Sequence, residues 1–144
     1  MLRSAALIFT TALLAACQSA PGTAKPQGIA AYADDPRLGE PVDRICFASS
    51  IDGFSNNTRN TVVLREGRDS YLVEVFGACT DLEYAQSIGI DSATGCLTKS
   101  DAIIVGYSPG GTGMGPQRCH IREIRKWDPK AEKPAEPAAE TEPE

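Results

Sequence analysis

The sequence predicts a mostly β fold: a small antiparallel β-barrel or sandwich of five to six short strands with one short helix, stapled by disulfides. Three observations carry this. Short apolar runs with period-two alternation recur between clusters of Gly, Asn, Asp and Ser. Only one segment carries a helix-start signal. Four cysteines fall between residues 46 and 119, inside or beside those runs.

The elements follow in order. "RICFAS" (44–49) and "TVVLRE" (61–66) read as strands joined by "IDGFSNNTRN", a run of turn formers. "SYLVEVF" (70–76) places Tyr71, Val73 and Val75 on one face and Leu72, Glu74 and Phe76 on the other. "EGRD" between these two strands has the composition of a hairpin turn. "TDLE" (80–83) is a capping box that opens a helix of one or two turns, ending near Ser87. "QSIGI" is a candidate further strand before the turn residues of "GIDSATG". "AIIVGYS" (102–108) is the strongest central strand, with Ile103, Val105 and Tyr107 on one face and Ile104 on the other. "RCHIREI" (118–124) closes the set. Cys119 and Ile121 share a face there but Ile124 does not, so a bulge at Arg122 or Glu123 is required.

Composition divides the chain into 1–16, 17–42, 43–127 and 128–144. Residues 1–16 read as an export signal: Arg3 supplies the positive charge and "AALIFTTALLAA" the apolar core. As a helix that core rises about 18 Å, short of the roughly 30 Å of a bilayer interior. An ordinary signal peptidase needs small residues at −1 and −3, and Leu14 would occupy −3 for a cut after Ala16. "LAAC" (14–17) instead resembles a bacterial lipobox. That resemblance implies diacylglycerol on the Cys17 sulfur, usually with a third acyl chain on its amino group. Gln18 in place of Asp then implies sorting to the periplasmic face of the outer membrane.

The segment 18–42, rich in Pro, Gly and Ala, reads as a tether, and 43–127 as the domain. The domain carries nine basic and ten acidic residues, a balance that argues against a nucleic-acid surface. "DPKAEKPAEPAAETEPE" (128–144) has no apolar residue larger than alanine and carries six acids against two lysines, the composition of a disordered tail.

With Cys17 lipidated, Cys46, Cys79, Cys96 and Cys119 remain, an even set suited to disulfides in an oxidising compartment. Three connectivities are open. The favoured one joins Cys79 to Cys96, clamping the helix start, and Cys46 to Cys119, joining first and last strands. No C-x₂-C spacing points to zinc or to a redox motif.

The order "ICF", "YLVEVFGAC.DL", "I.I…CL…DAI.V" and "G…C.I..I" resembles a family of small proteobacterial lipoproteins with a four-cysteine domain of unknown function. The matching positions are Cys46, Tyr71, Cys79, Leu82, Cys96, Asp101, Ile103, Cys119 and Ile121, across nearly all of 44–124. The resemblance implies the architecture but no reaction. The "NNTRN" insert and the acidic tail are peculiar to this chain.

No catalytic constellation stands out. His120 is the only histidine and reads as a solvent-facing strand residue among arginines. Asp101 reads as the cap of the turn after "LTKS". "GGTGMG" (110–115) lacks the G-K-[ST] ending of a phosphate loop and is read as a hairpin loop. Asn56-Asn57-Thr58 matches a glycosylation sequon that a bacterial lipobox makes idle. Arg118, Arg122, Arg125 and Lys126, with Trp127 beside them, form a candidate partner-binding surface for an anionic ligand. The expectation is a non-enzymatic envelope lipoprotein, held at the membrane by Cys17, with no metal or cofactor and with an unknown envelope protein or anionic ligand as partner. The alternatives are an inhibitor of an envelope-targeting enzyme and a minor periplasmic hydrolase using Asp101 or His120.

Overall fold

The computed structural model describes residues 25–55, 58–106 and 115–131. Among the described residues nine strands are formed: β1 (Leu38–Pro41), β2 (Arg44–Cys46), β3 (Ile51–Ser55), β4 (Thr61–Glu66), β5 (Asp69–Val75), β6 (Ile88–Asp91), β7 (Cys96–Thr98), β8 (Ala102–Val105) and β9 (Gln117–Trp127). Six lie in the order β3-β4-β5-β9-β8-β6, an antiparallel sheet that curls into a nearly closed barrel. β9 is long enough to pair β5 through 121–127, β8 through 117–120, and β1 at Arg125 and Trp127.

The hairpin β4–β5 forms as its alternation dictates. Glu66 pairs with Asp69 across a two-residue loop, and Gly67 has φ +59°, the conformation a type II′ turn reserves for glycine. Val62, Leu64, Tyr71, Val73 and Val75 point into the barrel, where they meet Ile103, Val105, Cys119, Ile121 and Ile124. The bulge required in the last strand is present. Glu74 faces Glu123 but Val75 faces Ile121, so Arg122 is the extra residue, and Ile124 returns to the interior.

β2 and β7 form a separate two-stranded ribbon whose Ile45 and Leu97 plug the main core. This ribbon corrects the favoured disulfide pairing: Cys46 is bonded to Cys96 and Cys79 to Cys119. The expected pairing assumed that β2 joins the last strand. It joins β7 instead, where Cys46 and Cys96 are direct cross-strand partners.

Three further expectations are corrected. "RICFAS" is extended only to Cys46, because Phe47 takes a left-handed φ of 58° and turns the chain into a 3₁₀ segment, Ala48–Ser50. The run read as turn formers then supplies β3. Thr80–Tyr84 is a 3₁₀ segment with no side-chain cap, not a helix. The Glu83 carboxylate accepts from Arg59 Nε at 3.1 Å in place of its capping-box role, and the neighbouring Asp81 N–H donates to Gln117 Oε1 at 3.3 Å.

The third correction concerns the tether, which is structured from Gly28. A 3₁₀ segment, Gly28–Tyr32, and β1 strap the outer face of the sheet. There Ile29, Tyr32 and Leu38 cover Val63, Leu72 and Trp127, a second small core. The strap is locked by Glu74, whose carboxylate accepts the Ile29 N–H at 3.2 Å and pairs with Arg122 Nη1 at 3.3 Å. A carboxylate this buried needs such partners. Gly28 makes the approach possible: its φ is +65°, and a Cβ there would sit 2.2 Å from Glu74 Oε1. Gly28→Ala is therefore expected to cost about 2 kcal/mol, from left-handed strain and a weakened bond to a charged acceptor. Urea unfolding measures this, and an unchanged midpoint would mean that the strap lies outside the cooperative unit.

Candidate functional site

The four cations picked from the sequence do not form one surface. Arg118 is bonded to Asp91 at 2.9 Å, Arg122 to Glu74 at 3.3 Å, and Arg125 lies 3.8 Å from Glu123. Lys126 turns to the other face of β9, with its Nζ 3.0 Å from the Tyr71 hydroxyl and 3.6 Å from Asp69. The alternation of a strand, interrupted at Arg122, is what separates them. The hydrogen bond to Tyr71, helped by the charge of Asp69, holds the Lys126 ammonium above its ordinary pKa against the opposing effect of burial. A cation whose pKa rises on folding stabilises the fold while charged. That contribution persists through neutral pH and is lost only as pH climbs past the raised value.

Asp101 caps its turn, accepting from the Thr98 N–H at 2.8 Å and the Thr98 hydroxyl at 2.7 Å. His120 is exposed on β9, opposite Ala102. Neither lines any of the cavities described below. Among the described residues no group of three or more His, Cys, Asp or Glu is placed to hold a metal ion, and no helix is long and apolar enough to cross a membrane. Cys17, Tyr107, the loop to Met114, the sequon Asn56-Asn57 and residues 132–144 lie outside the described residues.

Two concave features stand out among the described residues. The larger is the seam where the barrel fails to close. β3 and β6 are the edge strands of the sheet, and a groove of about 480 Å³ runs between them. Leu64 forms its floor, Ile51 and Phe54 one wall, Ile88 and Ile90 the other, and Gln86, Ser87 and Asp52 its polar rim. Following the antiparallel pairings around the sheet, β3 and β6 run in opposite senses, so direct closure would be geometrically permitted. The register slips between Ile51 and Gly53, an irregularity of the kind that twists an edge strand away from a would-be neighbour. On the other lip, the Gly106 N–H donates to the Ser87 carbonyl at 3.3 Å, and a Cβ at Gly106 would come within 2.5 Å of Ser87 Oγ. An apolar groove with a few polar groups at its rim, in this size range, is what small ligands or apolar side chains of a partner occupy.

The second feature is a cleft of about 370 Å³ at the β4–β5 hairpin end. Arg37, Arg68, Lys126 and Lys130 line it, with Asp69 and Asp128 among them and Trp127 below. Arg37 lies over the Trp127 ring, 4.6 Å from its centroid, and is bonded through both Nε and Nη2 to Asp35, which holds its guanidinium above the ordinary pKa. Among the described residues the side chains of Arg68 and Lys130 make no ion pair.

Sequence reasoning reached Lys126 and Trp127 but missed the rest of both features. Arg37 was hidden in the presumed tether, Arg68 in a turn, and Ile51 and Phe54 in a run read as loop. The signal that was available is the alternation of Ile88 and Ile90 about Gly89, two apolar residues on one face of a four-residue strand.

A family of unknown function, DUF6491, matches residues 1–143. No curated protein and no solved structure matches the chain.

Proposed function

We propose, from the premise that this chain belongs to the DUF6491 family of unknown function, that it is a lipid-anchored envelope protein whose β domain is a non-catalytic binding module. The observation that carries the binding reading is the open seam: an apolar groove kept between two edge strands of a barrel whose remaining strands are all paired. The lipobox supports the anchor, on the periplasmic face of the outer membrane. Two or more acyl chains hold a protein stably in a bilayer, where one does so only marginally.

The strap changes the expected geometry of that anchor. With regular structure beginning at Gly28, the domain starts closer in sequence to Cys17 than the tether read from the sequence had it. The module therefore works close beneath the membrane, with its reach set by the strap.

The test combines an alkyne fatty acid fed to cells with a photo-crosslinking residue at Gln86, on the rim of the seam. The expected result is a lipid label that Cys17→Ser abolishes, and a reproducible crosslinked species at the seam. A wild-type chain without label would overturn the anchor. A seam that gives no adduct would overturn the binding site.

A further inference from the structure

We propose that the Cys46–Cys96 disulfide is a redox-sensitive clasp on the seam. Bonded, it holds the edge strands β3 and β6 together at one end; reduced by a dithiol, it lets that end open while the barrel stays folded. This concerns what holds the seam and is independent of what enters it. Three observations support it.

The first is where the bond lies in the chain. Residues 47–50 separate Cys46 from Ile51, where β3 starts, and residues 92–95 separate Asp91, where β6 stops, from Cys96. Because β3 and β6 run in opposite senses, these two points lie at the same end of the seam. Ladders carry the sheet from β3 round to β6 by way of β4, β5, β9 and β8, but among the described residues no ladder joins β6 back to β3. The circuit is closed instead by the sulfur bridge and the short β2–β7 ribbon behind it. The Ala48 N–H adds a hydrogen bond to the Gly95 carbonyl at 2.9 Å, between the same two connecting segments.

The second is strain beside the bond. The chain leaves Cys46 through Phe47, at φ 58°, and enters Cys96 from Gly95, at φ +73°. Glycine takes that conformation freely, whereas a bulky residue keeps it only where its surroundings impose it. Packing does not impose it on Phe47, which is 74% exposed. The disulfide on one side and the Ala48–Gly95 hydrogen bond on the other do. Breaking the disulfide frees Phe47 to return to extended backbone and draws the start of β3 away from β6.

The third is unequal access. Cys46 and Cys96 are half-buried, whereas Cys79 and Cys119 are buried in the main core. A thiolate can therefore reach the first pair without unfolding the domain. Ile45 and Leu97, next to the reducible sulfurs, stay in the core and keep the opening local. In the step itself, one thiolate of the dithiol attacks a sulfur of the bridge, forming a mixed disulfide and releasing the other cysteine. The second thiol of the dithiol then displaces the remaining cysteine. Cys46 and Cys96 end as thiols carrying the two protons of the dithiol, which is oxidised to its own disulfide.

The experiment treats the full folded chain with dithiothreitol at neutral pH without denaturant, alkylates it and maps the peptides. Label should appear at Cys46 and Cys96 while the peptides holding Cys79 and Cys119 stay linked. Amide exchange of the reduced chain should then quicken about tenfold or more at Ile51–Ser55 and Ile88–Asp91, and little in β4, β5 and β9. Cys46→Ser with Cys96→Ser should show the same pattern without reductant. Reduction of both disulfides together, or of neither short of denaturation, would overturn the proposal by removing the selective clasp. So would selective reduction that leaves β3 and β6 exchanging as before, or that quickens every strand alike.

Discussion

Replacing Cys79 and Cys119 together by serine is expected to lower the stability of the domain by about 4 kcal/mol or more. The sequence separations are 40 residues for this bond and 50 for Cys46–Cys96. The chain-entropy estimate is about 4 kcal/mol for either and does not distinguish them. Burial does. Cys79 and Cys119 are 3% and 4% exposed within the main core, whereas Cys46 and Cys96 are partly exposed on the ribbon. Serines at 79 and 119 would add two hydroxyls to an apolar interior, a cost that serines at 46 and 96 largely escape. Urea unfolding should therefore rank C79S/C119S below C46S/C96S, with both below wild type. For a domain whose whole stability is about 5–15 kcal/mol, loss of both bonds should leave the chain unfolded at 37 °C. Peptide mapping without reduction should recover the 46–96 and 79–119 links. Recovery of 79–96 with 46–119 would contradict the fold of the β2–β7 ribbon.

Trp127→Ala should cost about 3–5 kcal/mol, the range for truncating a buried large aromatic. The ring is 4% exposed, with Tyr32 packed edge-on at 5.5 Å and Arg37 above it. It joins the last strand to the strap, so its loss removes the centre of the outer core and the anchor of β1. Trp127→Phe should recover much of the stability by restoring a ring in the same site. Thermal melts followed by circular dichroism test this, since the chain has no other tryptophan to report by fluorescence. A loss below about 1 kcal/mol would show that the strap does not contribute to folding.

The parts of the fold legible in the sequence are those where one periodicity decides the outcome. β4 and β5 alternate without interruption, and the conflict between Ile121 and Ile124 admitted one remedy, a bulge, which is where the structure has it. The parts that were not legible depend on contacts between distant segments. "TDLE" holds a good local capping signal, but Arg59, far away in sequence, takes the Glu83 carboxylate that the cap would have used. Residues 28–42 mix alanines, prolines and charged residues because they lie on the outside of a sheet with one face on them, which resembles a linker in composition. Ile29 is the one large apolar residue fully buried there, with Tyr32, Leu38 and Val42 partly buried, too few and too irregularly spaced to register as an element. The disulfide pairing turned on which strand β2 joins, a question that alternation within β2 cannot answer. For the candidate site the same limit applies: Lys126 and Trp127 were visible, while the seam exists only because two edge strands from opposite ends of the sheet approach without pairing.

The pairing of β1 with β9 has a mechanical consequence. Leu38, where the strap enters its strand, faces Trp127, where the domain ends, so the chain arrives and departs at the same end of one strand pair. Tension applied between a membrane attachment at the N-terminus and a load on the C-terminal segment would act on this pair as a zipper, opening its hydrogen bonds one after another instead of shearing them together. The peeled strap would uncover Trp127 while the disulfide-linked barrel stayed intact. A molecule built this way yields first at its outer seal, at a force well below that needed to unravel its core.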